Sequence, residues 1–456
     1  MEFEGLMVGV SGVRGRVGFA LTPEIVCQYA AAFGAFSLGR SASRVIVVGR
    51  DSRVSGPMFH RAVVSALQSV GADVLDIGMA PTPTVQLAVE YHHAAGGLAI
   101  TASHNPVEWN ALKFVGSSGL FLDNVEGAEM HAVLKRGVSR ARWDQLGQVR
   151  DDHAAIEQHI GAILALPFLD LDGIRRRAFH VALDTCHGAG VTIVPALLER
   201  MGCRVTAIKL EPTGRFHRPP EPVAENLGEL EALVKSSGAV VGFATDPDVD
   251  RLALVSELGT AIGEDYTLAL ATRVVLRQRR GPVVTNLSTS RIVADVAAEA
   301  GCELVLAPVG EVNVAVMMRN VGAVIGGEGN GGVILPELHL GRDAPLAAAL
   351  ILQLLHESNG TLSAVVAQYP HYKIVKDKLD RPSAPLDAVY ESLRKEFADA
   401  AVDSQDGLRL TWPDRWVHVR PSGTEPIVRV IAEAPTEDGA RELVRRCRAP
   451  LDALSA

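Results

Sequence analysis

Three aspartates alternate along one short stretch, Thr-Asp-Pro-Asp-Val-Asp-Arg (245–251). A curved loop can therefore converge the hard carboxylate oxygens of Asp246, Asp248 and Asp250 on a small cation such as Mg²⁺. Asp-x-Asp-x-Asp also opens a calcium EF-hand, and Glu257 falls at that loop's twelfth position. The comparison fails, because Arg251 replaces the required glycine and Leu252-Ala-Leu-Val reads as a strand. A solvated acidic turn is the plainer alternative. Ser103, in Thr-Ala-Ser-His-Asn-Pro (101–106), supplies a nucleophilic oxygen with His104, Asn105 and Lys113 close by in sequence. It is not in a nucleophile elbow, since no G-x-S-x-G surrounds it. Ser-His and Asn-Pro also build ordinary turns.

Two further loops are equipped for polar ligands. Gly327-Glu-Gly-Asn-Gly-Gly formally satisfies G-x-G-x-x-G, but the Val-Ile-Leu-Pro that follows cannot open a phosphate-capping helix. Glu328 and Asn330 suit sugar hydroxyls instead. Arg-Pro-Ser-Gly-Thr-Glu-Pro (420–426) offers a forked guanidinium from Arg420, the hydroxyls of Ser422 and Thr424, and free backbone N–H groups around Gly423. That is equipment for a phosphate, and Arg429 on the following strand can reinforce it. No G-x-x-x-x-G-K-[ST] nucleotide loop occurs.

These loops need elements to carry them, and the chain repeats one layout three times: aliphatic strand, polar loop, helix, glycine, second strand. The first copy runs from Arg44–Val48 through Gly-Arg-Asp-Ser-Arg (49–53) and a helix to Gly71 and Asp73–Ile77. The second joins Phe179–Leu183 to Arg204–Ile208, and the third joins Pro-Val-Val-Thr-Asn after Gly281 to Glu303–Leu306. Each copy continues into a glycine-edged strand that opens directly into one of the first three polar loops. Short Val/Leu/Ile runs alternating with helical stretches predict an α/β fold with buried, mixed but mostly parallel sheets and ligands at their strand ends. The tail from about 371 lacks the repeat and reads as a smaller α+β domain. Turn signals place the divisions at 1–152, 153–256, 257–369 and 370–456.

Composition narrows the classes. The 456 residues carry 44 basic and 53 acidic side chains, a formal net charge of −9 that opposes binding to nucleic acid or anionic membranes. A small anionic ligand therefore needs local basic groups. Five dispersed cysteines show no C-x-x-C spacing and read as buried thiols in a reducing compartment, which together with the absence of a secretory signal points to the cytoplasm. Ala344–Leu355, the most apolar stretch, is too short to span a bilayer and reads as a core helix.

Taken in order, these loops resemble those of the α-D-phosphohexomutase family, and the likeness covers essentially the whole chain. Ser-Gly-Val-Arg-Gly (11–15) resembles the family's N-terminal signature. Thr101–Pro106 with Asn110 and Lys113 is similar to its phosphoserine loop, 246–251 to its metal loop, 327–332 to its sugar loop and 420–426 to its phosphate loop. The resemblance implies three similar domains (phosphoserine-loop, metal-binding and sugar-recognition) and a phosphate-anchoring fourth around a central cleft. By position, Ser103 would carry the phosphoryl group and join Asp246, Asp248 and Asp250 on Mg²⁺. Arg14, His104, Lys113 and Arg251 would line the reaction centre, Glu328 and Asn330 would hold sugar hydroxyls, and Arg420, Ser422, Gly423, Thr424 and Arg429 would anchor the substrate's phosphate.

The implied reaction interconverts hexose 1- and 6-phosphates, glucosamine phosphate being favoured over mannose or glucose phosphate. Hexose 1,6-bisphosphate would be the activator, and the protein a monomer or homodimer. A phosphatase using the same serine and a non-catalytic sugar-phosphate sensor are the alternatives; intact Ser103, Lys113 and aspartates oppose the sensor. Pro247 and Ala111 stand where many members carry glycine. Gly332 stands where many carry histidine, and Glu311 sits near another such position. Lys113 is then the acid/base candidate on that side, with a pKa expected to be lowered by neighbouring cations.

Overall fold

The computed structural model describes residues 5–9, 12–381, 385–422 and 427–455. Three of its four sheets contain the same four-strand pattern. In the first, Asp73–Met79, Val45–Arg50 and Gly96–Ile100 lie side by side in parallel, and Trp109–Gly116 closes the pattern antiparallel to Gly96–Ile100. In the second, Arg204–Ile208, His180–Asp184 and Val241–Thr245 are parallel and Leu252–Ser256 antiparallel. In the third, Leu304–Ala307, Val283–Asn286 and Ile325–Glu328 are parallel and Gly332–Ile334 antiparallel. The first sheet is widened by Met7–Val8 and Gly12–Arg16 on one edge and Val149–Asp151 on the other.

The aliphatic runs become strands because both faces of each sheet are covered. Val181, Leu183, Val241, Phe243, Val283 and Val284 are all buried, so these strands need no polar alternation. Backbone packing is close: a Cβ on Gly97 would come within 2.6 Å of Val89 Cγ2. In all three units the turn from the last parallel strand into the antiparallel one is a polar loop, at 101–108, 246–251 and 329–331. Repetition of one topology thus presents three different loops at corresponding strand ends. The strand Gly332–Ile334 directly after the glycine-rich loop also excludes a dinucleotide-type helix there.

Helix Ala344–Ser358 is the hinge of the core. Asp343 caps it by accepting from the Leu346 N–H at 2.8 Å, Pro345 occupies its first turn, and residues 344–355 are buried all round. It packs against Asp265–Gln278 and against Ala155–Leu164, Leu171–Arg177 and Gly190–Arg200, so the second and third units share one continuous apolar core. A helix apolar on every face is stable only with neighbours on every face. The Asp343 carboxylate also meets His159 Nε2 at 2.7 Å and His339 Nε2 at 3.0 Å, and His159 Nδ1 lies 2.8 Å from Thr84 Oγ1. This buried chain of hydrogen bonds joins the first three units.

The C-terminal unit is different in kind. Lys373–Asp380, Ile427–Ala434, Trp416–Pro421, Leu408–Thr411 and Ala401–Asp403 form, in that order, an antiparallel sheet accompanied by helices Asp387–Glu396 and Glu437–Ser455. Among the described residues no helix is long and apolar enough to cross a membrane. Cys186, Cys203 and Cys447 are buried, whereas Cys27 and Cys302 are only half-buried, and none is bridged.

Leu350, at the centre of the shared helix, is fully buried. Leu350→Ala is expected to cost about 2–5 kcal/mol through lost burial and the cavity left behind. Denaturant unfolding should show a lowered midpoint for the second and third units together, because they share that core.

Candidate active site

Ser103 sits in left-handed backbone at φ 48°, a conformation uncommon for a residue with a side chain. Hydrogen bonds impose it. The Ser103 N–H donates to Thr101 Oγ1 at 3.0 Å, and the Thr101 hydroxyl donates to Asp51 Oδ2 at 2.6 Å. The Arg53 guanidinium, fully buried, gathers the rest of the loop: Nη2 donates to the carbonyls of Ser103 (2.6 Å) and Asn105 (2.7 Å), and Nη1 to those of Pro106 (2.7 Å) and Trp109 (2.9 Å). Its Nε returns to Asp51 Oδ2 at 3.0 Å. Phe216, from the second unit, lies against the same guanidinium at 4.9 Å. The result is a buried serine whose Oγ donates to Asp246 Oδ2 at 2.9 Å and stands 3.3 Å from His104 Nδ1.

The loop that supplies Asp246 is tightly curved. Val249 has φ 66°, strained for a β-branched residue, and this reversal lets Asp248 and Asp250 face the same point as Asp246. Pro247 fits because Gly188 leaves room; a Cβ there would approach the Pro247 Cα to 2.5 Å. All three aspartates are fully buried, and one oxygen from each lies within 4.8 Å of the others. Asp248 Oδ2 accepts from Lys113 Nζ and from Thr82 Oγ1, each at 2.6 Å, yet Asp248 Oδ1 and Asp250 Oδ1 are buried without a hydrogen-bond partner. Burial first, and then the neighbouring Asp250 and Asp248 charges, push the Asp246 carboxyl well above its usual range. Crowded hard oxygens with unsatisfied lone pairs fit a divalent metal ion.

Two basic groups behave differently from each other. Lys113 is not held at a lowered pKa: burial does pull it down, but Asp248 and Asp250 (Nζ 2.6 and 3.5 Å away) outweigh burial and shift it upward. It is an ammonium paired with the metal loop, which corrects the expectation of a lysine depressed by cations. His104 does sit among cations; Arg251 first, and then burial, keep its imidazole well below its ordinary pKa and therefore neutral. Arg251 Nε is 3.7 Å from Asp250 Oδ1, and Arg14 Nη1 donates to Asn105 Oδ1 at 3.3 Å.

Glu328 joins this centre through a residue that local sequence did not reveal. Its Oε1 accepts from Asn286 Nδ2 at 2.7 Å and the Gly310 N–H at 3.0 Å, and its Oε2 accepts from Arg342 Nη1 at 2.7 Å and more weakly from Asn330 Nδ2 at 3.5 Å. Arg342 also donates to Asp250 Oδ2 at 2.6 Å and to Glu311 Oε2 at 3.0 Å. Glu311, at the start of helix Glu311–Val321, is buried, and burial raises its pKa. Arg53 had a signal, the polar 49–53 loop ending a strand. Arg342 had none.

Arg420 and Arg429 are direct partners in the antiparallel register, so both project from one face of the C-terminal sheet. Arg420 Nε donates to Asp406 Oδ2 at 2.8 Å, and the same oxygen accepts the Val309 N–H at 3.1 Å. Consecutive amides, 309 and 310, thus hold Asp406, the partner of Arg420, and the sugar-loop glutamate. Ser422 is buried, its N–H bonded to the Ile427 carbonyl at 2.8 Å. Gly423 and Thr424, and Ser11 of the N-terminal signature, lie outside the described residues.

A buried serine beside a carboxylate cluster, with a sugar-type loop and an arginine pair on adjoining units, defines a phosphoryl-transfer enzyme of the phosphohexomutase type. Phosphoglucomutase/phosphomannomutase family models match in succession: α/β/α domain I at residues 5–138, domain II at 157–259, domain III at 263–372 and the C-terminal domain at 375–449. The chain belongs to this phosphoglucomutase/phosphomannomutase family. It is 38% identical to a probable phosphoglucosamine mutase of Methanopyrus kandleri over 97% of this chain and 98% of the relative. It is 37% identical to a phosphoglucomutase/phosphomannomutase of Thermococcus kodakarensis over 96% of each. A solved putative phosphomannomutase from Thermus thermophilus superposes with a TM-score of 0.83 at 26% identity, covering 99% of this chain and 100% of the other. An Aspergillus fumigatus N-acetylphosphoglucosamine mutase solved with GlcNAc-6P and magnesium shares the fold (TM-score 0.60, covering 99% of this chain and 96% of the other), at 13% identity.

Arg53→Met removes the donors that shape the serine loop and strands the Asp51 carboxylate in the interior. We expect about 3–5 kcal/mol lower stability, the usual cost of breaking a buried ion pair. Thermal unfolding checks the first consequence. Faster amide hydrogen exchange across residues 101–109, read by mass spectrometry, checks the second.

Proposed function

We propose that this phosphohexomutase carries its phosphoryl group on Ser103, holds Mg²⁺ with Asp246, Asp248 and Asp250, and acts on glucosamine phosphate in preference to mannose or glucose phosphate. The observation that carries this reading is the 2.9 Å contact between Ser103 Oγ and Asp246 at the three-aspartate cluster, bridging two units far apart in sequence. When bound, the ion would neutralise charge on the transferring phosphoryl group. The chain's own groups do the rest. Phosphoryl transfer needs in-line positioning and charge neutralisation more than covalent help. Arg53 and Thr101 fix the serine, while Lys113 and Arg251 add positive charge beside it. Neutral His104, 3.3 Å from Ser103 Oγ, would exchange a proton at the reaction centre.

In the forward direction the P–O bond to Ser103 breaks as a free sugar hydroxyl attacks phosphorus, leaving a bisphosphorylated hexose and a serine oxyanion. The sugar then reverses in the cleft, and Ser103 attacks the other phosphate, restoring phosphoserine and releasing the isomer. Arg420, Ser422, Gly423, Thr424 and Arg429 would anchor whichever phosphate is not reacting, which suits a separate unit joined to the sugar loop through Val309 and Gly310. A free hexose 1,6-bisphosphate would rephosphorylate Ser103 and so act as an activator. The unbridged thiols suit the reducing cytoplasm, where the enzyme would act as a monomer or homodimer.

The sugar preference rests on the sugar loop and on the phosphoglucosamine mutases among the relatives. Glu328 already accepts from Asn286, Gly310 and Arg342 at 2.7–3.0 Å, which leaves it about one strong acceptor direction for a sugar hydroxyl. Asn330, held only by longer contacts to Glu328 (3.5 Å) and the Gly332 N–H (3.2 Å), offers both donor and acceptor and would make the choice at C2. One such hydrogen bond is worth about 0.5–3 kcal/mol, so discrimination should be about 2- to 150-fold.

Ser103→Ala is expected to lose mutase activity and phosphate incorporation while retaining hexose-phosphate binding by calorimetry; full activity in that variant refutes the phosphoserine. kcat/KM measured on glucosamine, mannose and glucose 1-phosphates should rank glucosamine first. A preference for mannose or glucose would move the sugar assignment and leave the mechanism standing.

A further inference from the structure

Each aspartate of the metal loop has at least one oxygen committed to protein donors, and Asp246 has both, its Oδ1 accepting the Arg251 N–H at 3.3 Å. Asp246 Oδ2 takes the Ser103 hydroxyl, and Asp248 Oδ2 takes Lys113 and Thr82. Asp250 Oδ2 takes Arg342 Nη2 at 2.6 Å, with Lys113 Nζ farther off at 3.5 Å. The opposite oxygens, Asp248 Oδ1 and Asp250 Oδ1, are buried without a hydrogen-bond partner, Arg251 Nε standing 3.7 Å from Asp250 Oδ1. Asp248 is restrained twice over. Asp250 depends mainly on Arg342.

Arg342 is itself fixed. Its Nε and its backbone N–H both donate to Glu311, at 3.0 and 3.3 Å, and its Nη1 donates to Glu328 at 2.7 Å. Its stem passes through the space beside Gly332, where a Cβ would lie 2.2 Å from Arg342 Cδ and 2.9 Å from Cγ. Gly332 has no left-handed backbone demand, so the lack of a side chain there serves the passage of Arg342.

We propose that Arg342 sets the ion selectivity of the site, by occupying one oxygen of Asp250 so that this carboxylate can offer a metal only the other. A carboxylate limited to one oxygen suits Mg²⁺, which takes few protein oxygens in strict octahedral geometry and keeps its waters. Ca²⁺ gains more from carboxylates free to bind through both oxygens in a larger, irregular shell. Arg342 is thus a positioning residue that acts on the metal through Asp250. The proposal rests on the reading of Asp246, Asp248 and Asp250 as metal ligands.

The experiment titrates Mg²⁺ and Ca²⁺ separately into metal-stripped, dephosphorylated full-length protein by calorimetry, for wild type and Arg342→Met. The preference for Mg²⁺ over Ca²⁺ should fall about tenfold in the variant, the lower end of what loss of a ligand's supporting partner costs. An unchanged ratio overturns the role of Arg342 and leaves the metal reading intact. A wild type that binds neither ion overturns the metal reading, and this inference with it. Should Arg342→Met fail to fold, Gly332→Ala decides: it displaces the same guanidinium without deleting its charge, and the same fall in preference is required of it.

Discussion

Asp246, Asp248 and Asp250 are each removed from water within one loop, and an ionised carboxylate so placed costs several kcal/mol unless cations or donors replace the solvent. Most of the unusual features around the cleft answer that cost. Lys113 arrives from the first sheet, Arg342 from the third unit, and Thr82 contributes its hydroxyl from the start of a helix. The balance is still incomplete, as two orphaned carboxylate oxygens show. A divalent ion held there would complete it.

The same electrostatic demand explains why three units must be close-packed. Asp248 is satisfied only if the first unit presses Thr82 and Lys113 against the second, and Asp250 only if the third delivers Arg342. The apolar helix Ala344–Ser358 and the Thr84–His159–Asp343–His339 chain hold that arrangement from behind. Arg342 and Asp343 are adjacent in sequence, so one short turn serves both the charged cleft and the buried latch. The fourth unit makes its own link, through Asp406, to the loop that also positions Glu328.

A second demand falls on the serine. Holding Ser103 at positive φ costs conformational energy that the loop alone does not recover, and Arg53 supplies the missing donors from a strand end some distance away in sequence. Aromatic cover from Phe216 keeps water from competing for that guanidinium. The serine loop of the first unit is therefore shaped partly by the second, and its geometry is a property of the interface.

Features confined to a few neighbouring residues were legible in the amino-acid sequence. Unbroken Val/Ile/Leu runs specify strands covered on both faces, their recurrence specifies three like units, and Ala344–Leu355 specifies a helix with no solvent face. The polar loops around Ser103, Asp246, Glu328 and Arg420 stand out because each breaks an apolar pattern. What distance along the chain conceals had to await the tertiary structure. Arg342 looks like an ordinary arginine, and Arg53 like one more polar residue of a strand-end loop, until their carboxylate and carbonyl partners are in place. Lys113 was expected among cations and stands among anions, because its charge environment comes from a loop about 135 residues away. Gly332 reads in sequence as a missing side chain, whereas in the fold its place is taken by the stem of Arg342. Local patterns encode burial and turns; the pairing of individual charges is decided only when distant segments exclude water between them.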